Sequence, residues 1–419
     1  MSRLAQNPRA KILIIGNELL SGMRSDRNGA TIARFLSSLG FQIGRITIAG
    51  DREADIREAL HAAEANSDLI VCTGGLGSTR DDRTAGSIAR EWNAPLRHDP
   101  GMMSRLTEKL ALRRRPLTPR LKTFARIPIG ATPLVNPAGL AEGVFMPCIA
   151  GSCKPALIAL PGVPHELEAM LDSSVDPALR EYFPRLKPRS SHVLGLSGIG
   201  EGELEDLFLD RAEFRRGEVS ILPSPGIVYV VTTSRLLAKL VIRRAGRHVF
   251  TTTGEKIEEA LVRILSEKQL TLSTAESCTG GLLSELITSV PGASKVYNGG
   301  MTVYTNRAKQ NWLGVSRNIL DQYGAVSEET ALALSRGARS AAGSDWAISI
   351  TGVAGPGGGS KKKPVGTVCI GLAGGGKVTA CRFHFTGDRS EIRLRSARKA
   401  MELLLNRLRP RAAIPRRTR

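Results

Sequence analysis

The stretch Ser273-Thr274-Ala275-Glu276-Ser277-Cys278-Thr279-Gly280-Gly281 decides how the C-terminal half of this chain is read. Just before it, Leu270 and Leu272 alternate with Thr271 and Ser273, which predicts a short strand. Small polar residues then run into two glycines. From Leu282 onward the apolar positions Leu282, Leu283, Leu286 and Ile287 have helical spacing. A strand, a glycine-bearing turn and a helix predict free N–H groups and the positive dipole end above the turn, a place for a phosphate or an oxyanion. Ser277 and Cys278 are the candidate nucleophiles. The same spacing also describes a plain helix start with Ser277 or Thr279 as N-cap.

Working outward, a helix is expected over 254–268 before the turn, and a strand over 296–304 after it. A helix over 328–342 and a strand over 346–351 lead into the glycine-rich loop Gly352–Gly359. Two strands (366–373 and 378–385) and a last helix (389–408) complete an α/β domain. Toward the N-terminus, Lys11–Gly16 is a continuous apolar run suited to a buried parallel strand. Helical segments 28–39, 54–65 and 85–92 alternate with strands 43–49 and 68–73. This alternation predicts a doubly wound, mostly parallel sheet with ligands at the carboxyl ends of its strands. Residues 109–129 form a basic, partly helical cover, 156–160 a further strand, and 175–186 a proline-punctuated connection. Strand-like runs at 192–196 and 227–233 around a helical piece at 201–210 give a small α+β middle domain. The expected domains are 1–174, 175–250 and 251–409, with a basic tail over 410–419.

With 419 residues, 42% of them hydrophobic, the chain can bury several cores. No apolar run is long enough to cross a bilayer, and no signal-peptide core is present, so a cytoplasmic location is expected. The six cysteines have no C-x-x-C spacing and read as free thiols; the six histidines form no zinc pattern. The net charge of +20 is spread along the chain. It concentrates only at Arg407, Arg409, Arg411, Arg416, Arg417 and Arg419. Aromatic residues, at 4%, are too few for a base-stacking platform, so nucleic acid is not expected as a partner.

Five C-terminal motifs occur in one order: Thr274–Gly281, Tyr304–Lys309, Gly324–Glu329, Thr351–Pro356 and Phe385–Arg389. Together they resemble the CinA C-terminal family. That resemblance implies a nicotinamide-nucleotide amidase, which hydrolyses nicotinamide mononucleotide to nicotinate mononucleotide and ammonia. The N-terminal motifs Gly16–Gly22, Gly74–Thr84 and Pro161–Glu166 resemble the molybdopterin-binding-like domain of full-length CinA proteins. There the resemblance implies an ADP-ribose pyrophosphatase. Ser78, Asn17 and Val163 depart from the usual residues of those motifs.

Carried onto this sequence, the family pattern gives Ser277 as nucleophile, Lys309 as base and Tyr304 as a relaying or orienting partner. Thr279, Gly280, Gly281, Thr351, Gly352, Gly355 and Arg389 would bind substrate. A lysine base must be neutral when it acts, which burial or a cationic neighbour achieves by lowering its pKa. The amidase would need no cofactor. In the N-terminal domain, Gly74, Gly75, Gly77 and Thr84 would bind nucleotide, while Glu18, Asp81 and Asp82 would hold a divalent cation. Asp388 and Glu391 form a capping-box pattern at the start of the last helix. A homo-oligomer is expected. Two alternatives are a non-catalytic nucleotide- or pterin-binding N-terminal module and a nucleic-acid-associated accessory protein.

Overall fold

Alternation along the first strands builds the N-terminal layers. In the computed structural model, Ile12 and Ile14 of the strand Arg9–Ile15 enter one core with the helices Asn28–Leu39 and Pro164–Met170. Leu13 and Ile15 enter the opposite core with the helices Glu53–Glu64 and Thr84–Glu91. Strands Leu69–Thr73 and Ala156–Leu160 are buried along their whole length, which requires cover on both faces. The sheet order is Gln42–Ala49, Arg9–Ile15, Leu69–Thr73, Ala156–Leu160, Gly143–Met146, Thr132–Leu134. The first four strands are parallel and the last two run antiparallel. The expected α/β class and parallel-rich sheet are therefore present.

The structure describes residues 7–79, 81–148, 154–188, 191–207 and 219–409. Arg80, Cys153, the end of the helix expected over 201–210 and the 410–419 tail lie outside them. Cys72, Cys278, Cys369 and Cys381 are free thiols, as expected. No helix of the described residues is long and apolar enough to cross a membrane.

Two units divide the chain, Met1–Ser190 and Ser191–Arg419. The boundary expected at 174/175 is therefore misplaced. The segment after Val175 forms the helix Asp176–Tyr182, and Val175, Leu179 and Phe183 are buried in the N-terminal core. Its proline stands in the first helical turn, where no N–H partner is lost. The boundary at 250/251 likewise falls inside the second unit.

The middle part is the α+β layer expected. A four-stranded antiparallel sheet runs Val219–Ser224, Ile227–Thr232, His192–Ser197, Val249–Thr251. The helices Glu201–Asp206 and Arg235–Ala245 contribute Leu204, Ala238 and Val241 to its core. It joins the C-terminal domain through Ile227 and Phe250, which belong to that domain's core.

The C-terminal sheet runs Tyr297–Thr302, Leu272–Glu276, Trp346–Gly352, Thr367–Gly374, Lys377–His384. The first three strands are parallel and the last two antiparallel. Helices Ile257–Lys268 and Arg389–Leu408 pack one face, while Glu328–Ala342 packs the other. Three parallel strands thus end side by side. From their carboxyl ends start the Ser277 turn, the helix Asn306–Leu313 and the glycine loop from Gly352.

Candidate active site

That convergence brings together residues 32 positions apart. Thr305 caps the helix Asn306–Leu313 by accepting the Ala308 N–H at 3.1 Å. Lys309 and Leu313, one turn apart, face inward and are buried. Lys309 is only 1% exposed, and its Nζ lies 3.0 Å from Ser277 Oγ. The same Nζ lies 2.8 Å from the Val303 carbonyl and 3.3 Å from that of Tyr304. A neutral amine has two N–H donors and one lone pair. The two carbonyls can take both donors, which leaves the lone pair for the Ser277 hydroxyl. Burial holds the Lys309 pKa below the usual lysine value, opposed only by the neighbouring Cys278.

Cys278, the alternative nucleophile, is buried, and its thiol is pushed up to about 12. A thiol so far from ionising is a poor nucleophile near neutrality.

The turn differs from the expectation in one decisive respect. The buried carboxylate of Glu276 accepts the N–H groups of Gly281 (3.0 Å), Leu283 (3.0 Å) and Ser284 (2.8 Å), and the Ser284 hydroxyl at 2.6 Å. A protein carboxylate therefore already occupies the positive end of the helix Leu282–Thr288, and no external phosphate can use it. Neither Ser277 nor Thr279 is the N-cap; Gly281 is. The Ser277 N–H goes to the Ile350 carbonyl and that of Gly280 to Ser277. The N–H groups of Cys278 and Thr279 are taken by no backbone carbonyl among the described residues.

The remaining expected residues divide. Arg389 donates to the Gly355 carbonyl at 2.6 Å and to the Tyr304 hydroxyl at 3.0 Å, linking the glycine loop to the start of the last helix. Asp388 and Glu391 make the capping box there. Tyr304 meets Lys309 through its backbone carbonyl, and the residue is 57% exposed. A direct ring contact to Lys309 is absent among the described residues. Thr351 turns away, its hydroxyl donating to the Ala325 carbonyl at 2.7 Å. Gly352 packs tightly, since a Cβ there would lie 2.7 Å from Val368. Thr279 is fully buried, and its carbonyl accepts two bonds from Arg393, at 3.1 and 2.6 Å. Gly280 and Gly281, with φ of 59° and 95°, give the turn its left-handed path.

Glu276 and Arg393 were missed in the sequence. The available signals were an acid five residues ahead of the glycine N-cap and an arginine one helical turn after Arg389.

In the N-terminal unit, Glu18, Gly74, Gly75, Gly77, Asp81 and Asp82 all line one cavity of about 620 Å³. Thr84 does not join them as a ligand-binding group. Its buried hydroxyl donates to the Gly74 carbonyl at 2.8 Å and holds the glycine loop. Glu18, Asp81 and Asp82, expected to hold a cation that bridges phosphate oxygens, do not bring three ligand atoms within 4.8 Å of one another. Asp82 turns back on its own loop, accepting the Thr79 N–H at 2.6 Å and hydroxyl at 2.7 Å. Among the described residues only His61, Glu64 and Glu91 gather three ligand atoms within 4.8 Å, and the ammonium of Lys154 already pairs with both glutamates there.

Comparison with known proteins agrees with this layout. Residues 254–408 match the CinA C-terminal domain, and residues 11–181 match a molybdopterin binding domain. A competence-damage inducible protein of Moorella thermoacetica is 39% identical over 412 residues, covering 96% of this chain and 99% of the relative. A CinA-like protein of Chlorobaculum tepidum is 35% identical over 422 residues, with 96% and 99% covered. Among solved structures, a competence/damage inducible protein from Agrobacterium tumefaciens is 41% identical, covering 36% of this chain and 97% of its own, with a TM-score of 0.35. Matched along nearly its whole length, the chain belongs to the CinA family.

Proposed function

We propose that the C-terminal domain is an amidase that releases ammonia from nicotinamide mononucleotide. The observation that carries this reading is the buried Lys309 Nζ, 3.0 Å from Ser277 Oγ with two backbone carbonyls also in reach. The substrate is the one the family resemblance points to. Neutral Lys309 takes the Ser277 proton as Oγ attacks the carboxamide carbon, giving a tetrahedral intermediate. The N–H groups of Cys278 and Thr279, which no backbone carbonyl takes among the described residues and which face the Cys278 sulfur, are the donors we assign to its oxyanion. Lys309 then returns the proton to the departing ammonia. It next deprotonates the water that hydrolyses the acyl-serine, yielding nicotinate mononucleotide. Arg389 and Tyr304 are exposed and joined by a hydrogen bond, and we assign them to the phosphate end. The test is ammonia release from nicotinamide mononucleotide by the full chain and by Ser277→Ala. Release by the wild type and none by the variant is expected; equal release by both would overturn the reading.

For the N-terminal domain we propose hydrolysis of the diphosphate bond of ADP-ribose in the cavity beneath the Gly74–Gly77 loop. Glycines there allow close approach of a diphosphate, and Glu18 and Asp81 would hold a divalent cation that neutralises it. Turnover should stop on chelation and fall in Asp81→Ala; chelator-insensitive turnover would contradict the metal requirement.

A further inference from the structure

Neither matched domain accounts for residues 182–253, which hold all four strands of the middle sheet. Within the second unit this sheet closes a cavity of about 780 Å³ against the last helix. Its walls are the Gly198–Glu201 turn and the Pro223–Gly226 turn on one side. On the other are the strand end Phe383–Phe385 and one stripe of the helix carrying Arg395, Lys399 and Glu402. The wall is anchored: Arg398 Nη1 donates to Ser224 Oγ at 2.9 Å and to the Pro225 carbonyl at 2.8 Å.

Charge and shape inside this cavity select a ligand class. Three of its four acids are already engaged. Glu203 accepts the Gly200 N–H at 2.9 Å, Glu391 the Asp388 N–H at 3.2 Å, and Glu402 the Lys399 ammonium at 2.8 Å. The fourth, Glu201, is exposed. Arg395 is the cation left over: its Nε is buried and without a hydrogen-bond partner. Its guanidinium pairs with none of the cavity's acids, so an anion entering the cavity meets an uncompensated positive charge. Beside it, Phe383 and Phe385 stack with centroids 5.9 Å apart and planes 13° apart, while Ile199 and Pro225 add apolar wall. The Lys399 ammonium already lies over Phe383, 5.4 Å from its centroid, so Phe385 is the ring left to accept a planar group. The volume suits a molecule of nucleotide size.

We infer that this cavity is a binding site for a small organic anion bearing a planar ring, separate from the Ser277–Lys309 site. The helix that lines it also carries Arg389 and Arg393, which hold Tyr304, Gly355 and Thr279. A bound anion would thus sit on the element that braces the nucleophile turn.

Hydrogen exchange of the full chain, with AMP as probe and adenosine as the uncharged control, tests this. AMP should slow exchange in segments 196–203 and 223–228 by roughly threefold or more. Adenosine should not. Arg395→Gln, which removes the cation, and Ile199→Trp, which fills the cavity, should each abolish that protection while circular dichroism stays unchanged. Protection confined to other segments, equal protection by adenosine, or full protection in both folded variants would overturn the inference. Because the readout is binding, it stands whether or not ammonia release is found.

Discussion

Lys309 gains its chemistry from where it is placed. A polar helix start, Asn306-Arg307-Ala308-Lys309, gives no sign in the sequence that one of its cations is buried to 1% exposure. The burial follows from the helix beginning at the end of a parallel strand next to the nucleophile turn. Burial favours the neutral amine, so the Lys309 pKa is lowered from 10.5. The rate of ammonia release should therefore rise as pH climbs through that lowered value and level off below the ordinary lysine range. A profile whose rising limb sits at or above 10.5 would contradict this. Cys278 works the other way. With its thiol pushed up to about 12, it contributes packing, and Cys278→Ala should retain most of the activity. Loss of activity on a par with Ser277→Ala would move the nucleophile to sulfur.

Among the elements, strands and long amphipathic helices were legible and short polar ones were not. Asn28–Leu39 and Arg389–Leu408 coincide with the expected segments because their apolar positions recur at helical spacing. Asn306–Leu313 went unrecognised because only Lys309 and Leu313 of its eight residues are buried. The short antiparallel strands Thr132–Leu134 and Gly143–Met146 were missed for want of enough residues to show a period. The turn after Leu272–Glu276 was located correctly but its electrostatics were misread. Glycines and small polar residues mark a helix start, yet only the folded geometry reveals that Glu276 bends back to fill it. Glu276→Gln keeps the shape but places an amide N–H₂ among donors that need acceptors. It should lower stability by roughly 2 kcal/mol, as for a buried charged hydrogen-bond partner removed. An unchanged urea midpoint would mean the cap contributes nothing.

At the scale of the whole molecule, composition and alternation conveyed an α/β chain with a parallel-rich N-terminal sheet. The domain limits were harder to read. Nothing in the sequence around Pro177 indicates that the next helix belongs to the preceding core, since proline serves equally in a connection and in a first helical turn. The net charge of +20 remains a property of the surface and the terminal arginines. Deleting residues 410–419 should leave ammonia release intact and weaken any salt-dependent binding to DNA. Lost amidase activity would instead assign the tail to the fold.

In the proposed mechanism Lys309 acts as a base and not as a fixed positive charge. Comparing kcat and KM of Lys309→Arg with those of Lys309→Ala tests it most directly. Guanidinium keeps the charge but stays protonated throughout the working range. Both variants should lose kcat by about a thousandfold, in line with other nucleophile–base pairs. A Lys309→Arg enzyme with near wild-type kcat and a raised KM would make Lys309 an anchor and contradict the mechanism.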